Sequence, residues 1–347
     1  MYDLKKGYEL AKEFYAQYGV DVDKAIQIAD ETPISMHCWQ GDDVAGTEYK
    51  EDKTLTGGIQ ATGNYPGKAR NGEELRADIE EAMKYIPGTL KLNLHANYQE
   101  TDHFVERNEI EPEHFQNWVN WAVDKGIGLD FNPTYFAHPL SDNGTLSSAD
   151  ETVRQFWVEH GIRCRRIGEY FYKKTGKPCV INHWTPDGDK EVPIDTLGPR
   201  ERLKKSYDEI FAATEDVEGV IDGIESKVFG IGAESYTVGS HEFCMGYVMK
   251  ANKDHIIMTC DTGHYHPTEV VSAKLSGIYT FDKSVLLHVS RPVRWDSDHV
   301  VSFDDETRAI FDELVRMDKL KDTYVATDFF DASINRIAAW TIGLRNT

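Results

Sequence analysis

The chain has 347 residues, of which 40% are hydrophobic and 28% charged, a composition typical of globular domains and a length that suits one large α/β barrel. Its 59 acidic residues against 38 basic ones give a net charge of −21, which disfavours nucleic acid and anionic membranes as partners. Five cysteines without a Cys-x-x-Cys motif, and no apolar run of about 18 residues, predict a cytoplasmic protein with free thiols.

Two amphipathic helices are predicted at the start of the chain. Residues 3–18 carry an apolar stripe at spacings of three and four, which is typical of a helix with one buried face. The stripe consists of Leu4, Tyr8, Ala11, Tyr15 and Tyr18. Asp21 is suited to cap a second helix over residues 22–30. We expect residues 1–33 to pack on one end of a barrel formed by residues 34–347.

Eight short strand-like runs then recur, separated by helix-like segments. They span residues 34–38, 90–95, 127–131, 179–184, 219–224, 255–260, 285–289 and 323–327. Strands that alternate with helices at this spacing indicate parallel β-α-β units, and eight such units predict a closed (β/α)₈ barrel. The long connection over residues 39–89 opens with a Gly-rich polar stretch, and a loop of this kind is typically a gate over an active site.

Polar side chains are concentrated where these runs end, which is the active face of a (β/α)₈ barrel. The earlier runs supply His37, His95, Asp130, Asn132, Asn182 and Trp184, and the later ones supply Glu225, Lys227, Asp261, His264, His288, Asp296, Asp298 and Asp328. Each residue alone could be a turn former or an ordinary hydrogen-bonded polar residue. As a set they would form a ring of carboxylates, in which like charges repel each other and burial is costly.

Seven of these residues are candidate metal ligands. They are Glu225, Asp261, His264, His288, Asp296, Asp298 and Asp328. A divalent cation takes about four to six ligands, some of them water, so seven protein ligands suggest two ions. Carboxylate and imidazole ligands without a thiolate suit Mn²⁺, Mg²⁺, Co²⁺ or Zn²⁺.

Lys227 is the cationic side chain that we place on this acidic rim. Next to bound metal it could polarise a carbonyl group or hold an oxyanion, and the alternative is an ordinary salt bridge. Trp184 could be one wall of a ligand pocket or simply part of the packing. Two metal ions in such a mouth could hydrolyse a phosphoester or hold the hydroxyls of a sugar during isomerisation. Because phosphoesters need Arg and Lys clamps, the acidic rim favours a neutral polyol.

The chain contains several long and unusual segments. They include Ser35-Met-His-Cys-Trp-Gln-Gly-Asp-Asp, Gly263-His-Tyr-His-Pro-Thr-Glu-Val and Ser290-Arg-Pro-Val-Arg-Trp-Asp-Ser-Asp-His-Val, with residues 57–70, 225–239 and 328–336. These segments resemble the bacterial L-rhamnose isomerases. The resemblance covers nearly the whole chain. It implies a barrel like that of xylose isomerase, a homotetramer, and interconversion of L-rhamnose and L-rhamnulose with Mn²⁺.

The resemblance also assigns roles to individual positions. A structural metal would take Glu225, Asp261, His288 and Asp328, and a catalytic metal would take His264, Asp296 and Asp298, with Asp261 available to both. For the substrate, the resemblance places Lys227 near the carbonyl group and Trp184 against the sugar. It also places His95 near the ring oxygen, where it would assist ring opening, and implies that Asp328 moves protons between sugar oxygens. A hydride shift and proton transfer through an enediol both stay open.

Members of this family continue past the position of Thr347 with a helical extension. We therefore expect that extension to be absent here, either because this sequence is a fragment or because the protein is a shorter form. Three other functions are compatible with the same residues. The protein could be an isomerase of a related aldose, a metal-dependent hydrolase on the same barrel, or a sugar-binding protein without turnover.

Overall fold

The computed structural model describes residues 3–49, 65–230, 232–266, 268–281 and 284–347. At its centre is a closed barrel of eight parallel strands, in which each strand pairs with its neighbours in chain order and the last pairs with the first. These strands are β1 Ile34–His37, β2 Leu90–His95, β3 Gly128–Asn132, β4 Cys179–Trp184, β5 Val220–Glu225, β6 Ile256–Asp261, β7 Val285–Val289 and β8 Thr323–Thr327. The predicted barrel is therefore confirmed, and every predicted strand lies within one residue of its observed bounds.

Helices surround the barrel and connect its strands. Those after β1 are α3 Gly72–Met83, α4 Gln116–Lys125, α5 Glu151–Thr175, α6 Gly198–Ala213, α7 His241–Ala251, α8 Ser272–Tyr279, α9 Asp305–Arg316 and α10 Arg336–Asn346. Asp150 caps α5, because its side chain accepts a hydrogen bond from the Thr152 amide at 2.8 Å. Gly126 and Gly176 end α4 and α5 in the left-handed conformation that glycine adopts without strain.

The N-terminal segment forms the two predicted helices, α1 Leu4–Ala16 and α2 Val22–Glu31. They contact each other through Asp23, whose carboxylate accepts hydrogen bonds from Tyr8 and Lys12. No residue of either helix is buried, and Leu4 is 79% exposed. The division into residues 1–33 and 34–347 stays a prediction.

The last helix closes the ring next to β1. The Trp340 indole is fully buried and donates a hydrogen bond from Nε1 to the His37 carbonyl oxygen at 3.0 Å. A Cβ on Gly41 would lie 2.3 Å from Leu75 Cδ1 and 2.6 Å from the Trp340 ring, so a larger residue here would force these side chains to shift. Arg336 also pairs with Asp43 at 2.7 Å, which fixes the start of the long 39–89 connection.

Part of that connection, residues 50–64, lies outside the described residues, so a gate over 39–70 stays a prediction. The five cysteines are buried and free. Within the described part of the chain, no helix has the length and apolar character needed to cross a bilayer.

Candidate metal centre and active site

The first group of candidate ligands lies where β5, β6, β7 and β8 reach the mouth of the barrel. Glu225 and Asp261 end their strands, His288 pairs in register with Asp261, and Asp328 directly follows β8. Each offers one ligand atom, and these four atoms all lie within 4.8 Å of one another. The resemblance implied this same set, although the identity of a bound ion and each residue's role stay predictions.

A second group shares Asp261 with the first. Asp261, His264 and Asp296 also offer ligand atoms within 4.8 Å of one another. His264 Nδ1 lies 3.0 Å from the Ser226 carbonyl oxygen. Because a carbonyl oxygen only accepts, Nδ1 carries a proton, which leaves Nε2 as the nitrogen that would bind a metal ion.

Several buried atoms in these groups are left without a hydrogen bond in the described structure. They are Asp261 Oδ2, Asp296 Oδ1 and both ring nitrogens of His288, of which Nδ1 lies 3.3 Å from carboxylate oxygens of Glu225 and Asp328. Buried polar atoms are nearly always hydrogen-bonded, so a cluster of carboxylate oxygens and imidazole nitrogens without hydrogen bonds indicates a cation site. This observation, together with the oxygen and nitrogen donor set, fits divalent metal ions in both groups.

The acids of the centre differ in the direction in which their pKa is shifted. Burial, reinforced by neighbouring carboxylates, raises the pKa of Asp261 and Asp298 well above the ordinary value. Burial opposes ionisation of Glu225 too, but His288 and His264 hold its pKa well below the ordinary value. Asp261 likewise keeps the pKa of His264 raised against the effect of burial. Without a cation, protons therefore neutralise the cluster, and metal binding should release them.

Asp298 lies beside these groups but belongs to neither of them. Its backbone φ is +44°, and its carboxyl group faces the charges of Asp296, Asp328 and Asp261. The charges of the candidate centre therefore act on the Asp298 carboxyl group. Its part as a direct ligand stays a prediction.

Lys227 is held at the edge of the second group. Its Nζ donates to Asp296 Oδ2 at 2.6 Å, lies 4.7 Å from the centre of the Trp184 ring, and is 3.4 Å from His264 Nε2. Burial lowers the pKa of this ammonium, but the charge of Asp296 overrides that effect and raises it. A Cβ on Gly230 would lie 2.2 Å from Lys227 Cε, so the side chain fills the space that this glycine leaves open.

An aromatic cluster that includes His95 and Trp184 lies at the mouth of the barrel, and only those two of its members are predicted from the sequence. Trp39 stacks on His95 with 4.2 Å between ring centres, and Phe136 lies 5.4 Å from Trp184. The ring centre of Phe330 lies 5.4 Å from that of Trp39. Trp39, Phe136 and Phe330 follow β1, β3 and β8, so the strand-end rule that located the acids would also have located these aromatic residues.

The other polar residues predicted at the strand ends have different positions. Asn182 donates a hydrogen bond to Glu225 and so orients a candidate ligand. Asp130 does not join the centre, because its carboxylate pairs with Lys91 and accepts a hydrogen bond from the Val180 amide at 2.7 Å. Asn182 lies on β4 and Asp130 on β3, and spacing along the strands alone did not separate a residue at the centre from one paired elsewhere.

The fold and the site define a class, namely (β/α)₈-barrel enzymes with a candidate two-metal centre in the mouth. The family model of L-rhamnose isomerase (RhaA) matches residues 2–347, and the chain belongs to this family. It is 57% identical over 344 residues to the L-rhamnose isomerase of Escherichia coli, covering 99% of this chain and 81% of that protein. The enzyme of the same name from Mannheimia succiniciproducens is 55% identical over 346 residues, covering 100% of this chain and 82% of that protein.

Two solved structures support the fold alone. A structure of L-ribulose 3-epimerase superposes with a TM-score of 0.59 at 13% identity, over 89% of this chain and 91% of that one. A D-psicose 3-epimerase structure has a TM-score of 0.54 at 16% identity, over 78% of this chain and 90% of that one. At such identities these structures define the architecture, and the family match carries the functional argument.

Proposed function

We propose that this protein interconverts L-rhamnose and L-rhamnulose as a metal-dependent aldose–ketose isomerase. The observation that carries the proposal is the family match over residues 2–347, which coincides with two carboxylate–imidazole groups that share Asp261. Divalent ions in these groups would supply Lewis-acid stabilisation of the negative charge that develops on the sugar oxygens during hydrogen transfer between C1 and C2.

The protein's own side chains would bind and orient the open-chain sugar. Trp184 and Trp39 offer apolar faces that exclude water, and their indole Nε1 groups are buried without a hydrogen-bond partner among the described residues. Each could donate to a sugar hydroxyl. Lys227 would donate to the carbonyl oxygen, and Asp328 would move a proton between neighbouring oxygens. A hydride shift and an enediol pathway both use this arrangement.

The proposed ion is Mn²⁺, with Zn²⁺, Co²⁺ and Mg²⁺ as alternatives. The family resemblance supports manganese, and the mixed carboxylate and imidazole donors suit it. Activity after chelation and reconstitution with each ion in turn tests this choice. We expect Mn²⁺ to restore the most activity, and a better restoration by another ion would contradict the choice.

The assembly and location are proposed from the same family resemblance. We infer that the protein is a homotetramer located in the cytoplasm. Its partner would be a small sugar, and we expect neither nucleic acid nor a membrane to bind it. Light scattering would then give about four times the 39.5 kDa mass of one chain. A monomeric mass would contradict the assembly without affecting the chemistry of a single barrel.

The activity is tested with purified, metal-loaded protein and a panel of aldoses. We expect ketose to form from L-rhamnose, to stop on addition of EDTA, and to return with Mn²⁺. Asp296→Asn should abolish turnover, because it removes a charged oxygen from the second ligand group and the partner of Lys227.

Three results would overturn the proposal. Faster turnover of another aldose would indicate an isomerase of a related sugar. Phosphate release from an ester would indicate a hydrolase, and tight sugar binding without any turnover would indicate a binding protein.

A further inference from the structure

We propose that Thr134 is a positioning residue that fixes the tautomer of His95, so that His95 presents an unprotonated Nε2 to the sugar. The inference deepens the proposed function and rests on it, since it concerns how the ring of the sugar is opened. His95 ends β2 and is 1% exposed. No hydrogen bond to its Nε2 is seen within the described ranges, whereas its Nδ1 lies 3.1 Å from Thr134 Oγ1.

The Thr134 hydroxyl has three neighbours and can satisfy all of them in one way only. Its Oγ1 lies 3.1 Å from the Asn132 carbonyl oxygen and 3.1 Å from the Ala96 amide nitrogen. The carbonyl can only accept and the amide can only donate, so the single hydroxyl proton goes to Asn132. The remaining lone pair of Oγ1 must then accept from His95, which places the proton on Nδ1.

Burial keeps this imidazole neutral. The ring is enclosed against Trp39, and desolvation holds the pKa of His95 well below its ordinary value. A neutral imidazole with its proton on Nδ1 has a free lone pair on Nε2. His95 is therefore prepared as a proton acceptor before any sugar binds.

Thr134 stays in place because a buried arginine holds the segment that carries it. Arg107 is fully buried and donates to the carbonyl oxygens of Thr134 at 2.6 Å, Phe136 at 2.9 Å and Ala137 at 3.4 Å. Thr134 and Ala137 have φ values of +58° and +52°, a conformation that costs non-glycine residues energy and is kept only where contacts impose it. Glu48 balances the guanidinium charge at 3.1 Å.

The consequence for chemistry is a single proton transfer within the sugar. Nε2 takes the proton of the anomeric hydroxyl, the C1–O1 bond becomes a carbonyl, and the C1–O5 bond breaks with its electron pair left on O5. Nε2 then returns the proton to O5. The imidazole ends as it began, and Nδ1 keeps its bond to Thr134 throughout. The opposite tautomer would present an N–H to the sugar and could not begin this sequence.

The variant that tests the idea is Thr134→Val, which keeps the branched shape and removes the hydroxyl. We expect kcat/KM for L-rhamnose to fall about 10- to 100-fold, which reaches only the lower end of general acid–base effects because His95 itself is retained. Because ring opening becomes slow, the isotope effect for L-rhamnose deuterated at C2 should fall toward unity. Inhibition by the acyclic L-rhamnitol should change less than about twofold, since it has no ring to open.

Two comparison variants separate positioning from folding. Thr134→Ser retains the hydroxyl and should recover most of the activity and the isotope effect. Thr214→Val removes another buried hydroxyl, one that donates to the Ile210 carbonyl oxygen at 2.6 Å away from the site, and should leave the isotope effect as in the unmodified protein. An unchanged isotope effect in Thr134→Val, or no recovery in Thr134→Ser, would overturn the proposal.

Neutron diffraction from the metal-loaded, unmodified protein tests the tautomer without any substitution. We expect deuterium on Nδ1 of His95 and none on Nε2. Deuterium on Nε2 would overturn the inference even if the variants behave as expected. The proposed function fails separately, if the unmodified protein converts no L-rhamnose with any of the four ions.

Discussion

Among single residues, Lys227 is a buried positive charge that two contacts hold in place at the mouth of the barrel. Its ammonium sits between the Asp296 carboxylate at 2.6 Å and the face of Trp184 at 4.7 Å. Both contacts fix the position of Nζ and neither uses all three of its hydrogens. A salt bridge and a catalytic donor are therefore compatible in one side chain.

We expect Lys227→Met to lower kcat about 10²- to 10³-fold, the usual effect of losing one donor to a developing oxyanion. Bound metal measured by atomic emission should stay near the level of the unmodified protein. Lys274 is a matched control, because its Nζ lies 4.8 Å from the Tyr265 ring and 3.0 Å from Glu269 outside the ligand groups. Equal losses in Lys227→Met and Lys274→Met would contradict the assigned role.

Asp42 lies in the turn after β1 and carries a buried carboxyl group. Burial raises its pKa to about 7, although Tyr98 and the Gly46 amide donate to its carboxylate. In the unfolded chain its pKa is about 3.9, so between these values only the folded state keeps the proton. Its contribution to the free energy of unfolding therefore falls as pH rises, by about 1.4 kcal/mol per unit.

We expect Asp42→Asn to remove this contribution. Urea denaturation at about pH 5 and about pH 8 should show a smaller loss of stability in the variant than in the unmodified protein. The substitution Asp124→Asn, at an exposed position, is the control and should leave the difference between the two pH values unchanged. The same decline in all three proteins would show that Asp42 is already ionised in the fold.

The site residues that the sequence predicts are those whose role depends on position along a strand. Glu225, Asp261 and His288 end or lie within apolar runs, and parallel strands bring such ends together. Thr134 could not be predicted in this way, because its role depends on which neighbours of one hydroxyl donate and which accept. Asp130 was misplaced for a related reason, since a partner such as Lys91 is visible only after folding.

At the scale of elements, the strands are the best-predicted part of the molecule. β4, for example, is observed over the predicted residues 179–184, because a short apolar run buried on both faces is bounded by turns. Helix ends are harder to predict where no breaker is present. Asp150 predicts the start of α5, but nothing before Gly176 marks its end after 25 residues.

We expect the junction between α10 and β1 to contribute strongly to the stability of the barrel. Replacing Trp340 by Ala leaves a cavity against Gly41 and removes the bond to the His37 carbonyl, so the free energy of unfolding should fall by about 3–5 kcal/mol. Ile342 lies on the same helix and is 47% exposed, so Ile342→Ala should change stability by less than about 0.5 kcal/mol. Similar losses from both substitutions would mean that α10 does not close the barrel.

At the scale of the whole molecule, the barrel brings acids from separate strands into one small volume. Glu225, Asp261 and Asp328 come from three different strand ends, on a chain whose net charge is already −21. Repulsion among them opposes folding unless protons or cations neutralise the mouth. The sequence predicted this gathering from barrel topology, while the unpaired atoms that support two ions required the folded structure.

Metal removal should therefore weaken the whole fold. We expect EDTA to lower the thermal unfolding midpoint and Mn²⁺ to restore it, with about 2.7 kcal/mol gained at an ion concentration about 100 times Kd. Asp261→Asn, which weakens both ligand groups at once, should reduce this response. A midpoint that does not respond to either reagent would contradict metal binding to the folded state.

The pair of metal ions is tested most directly by anomalous diffraction at the manganese edge from crystals of the Mn²⁺-loaded protein. We expect two peaks, one within coordination reach of Glu225, Asp261, His288 and Asp328 and the other within reach of Asp261, His264 and Asp296. Two such peaks would establish the pair of ions on which the proposed isomerisation depends. A map without any peak near Asp261 would contradict metal binding at this centre.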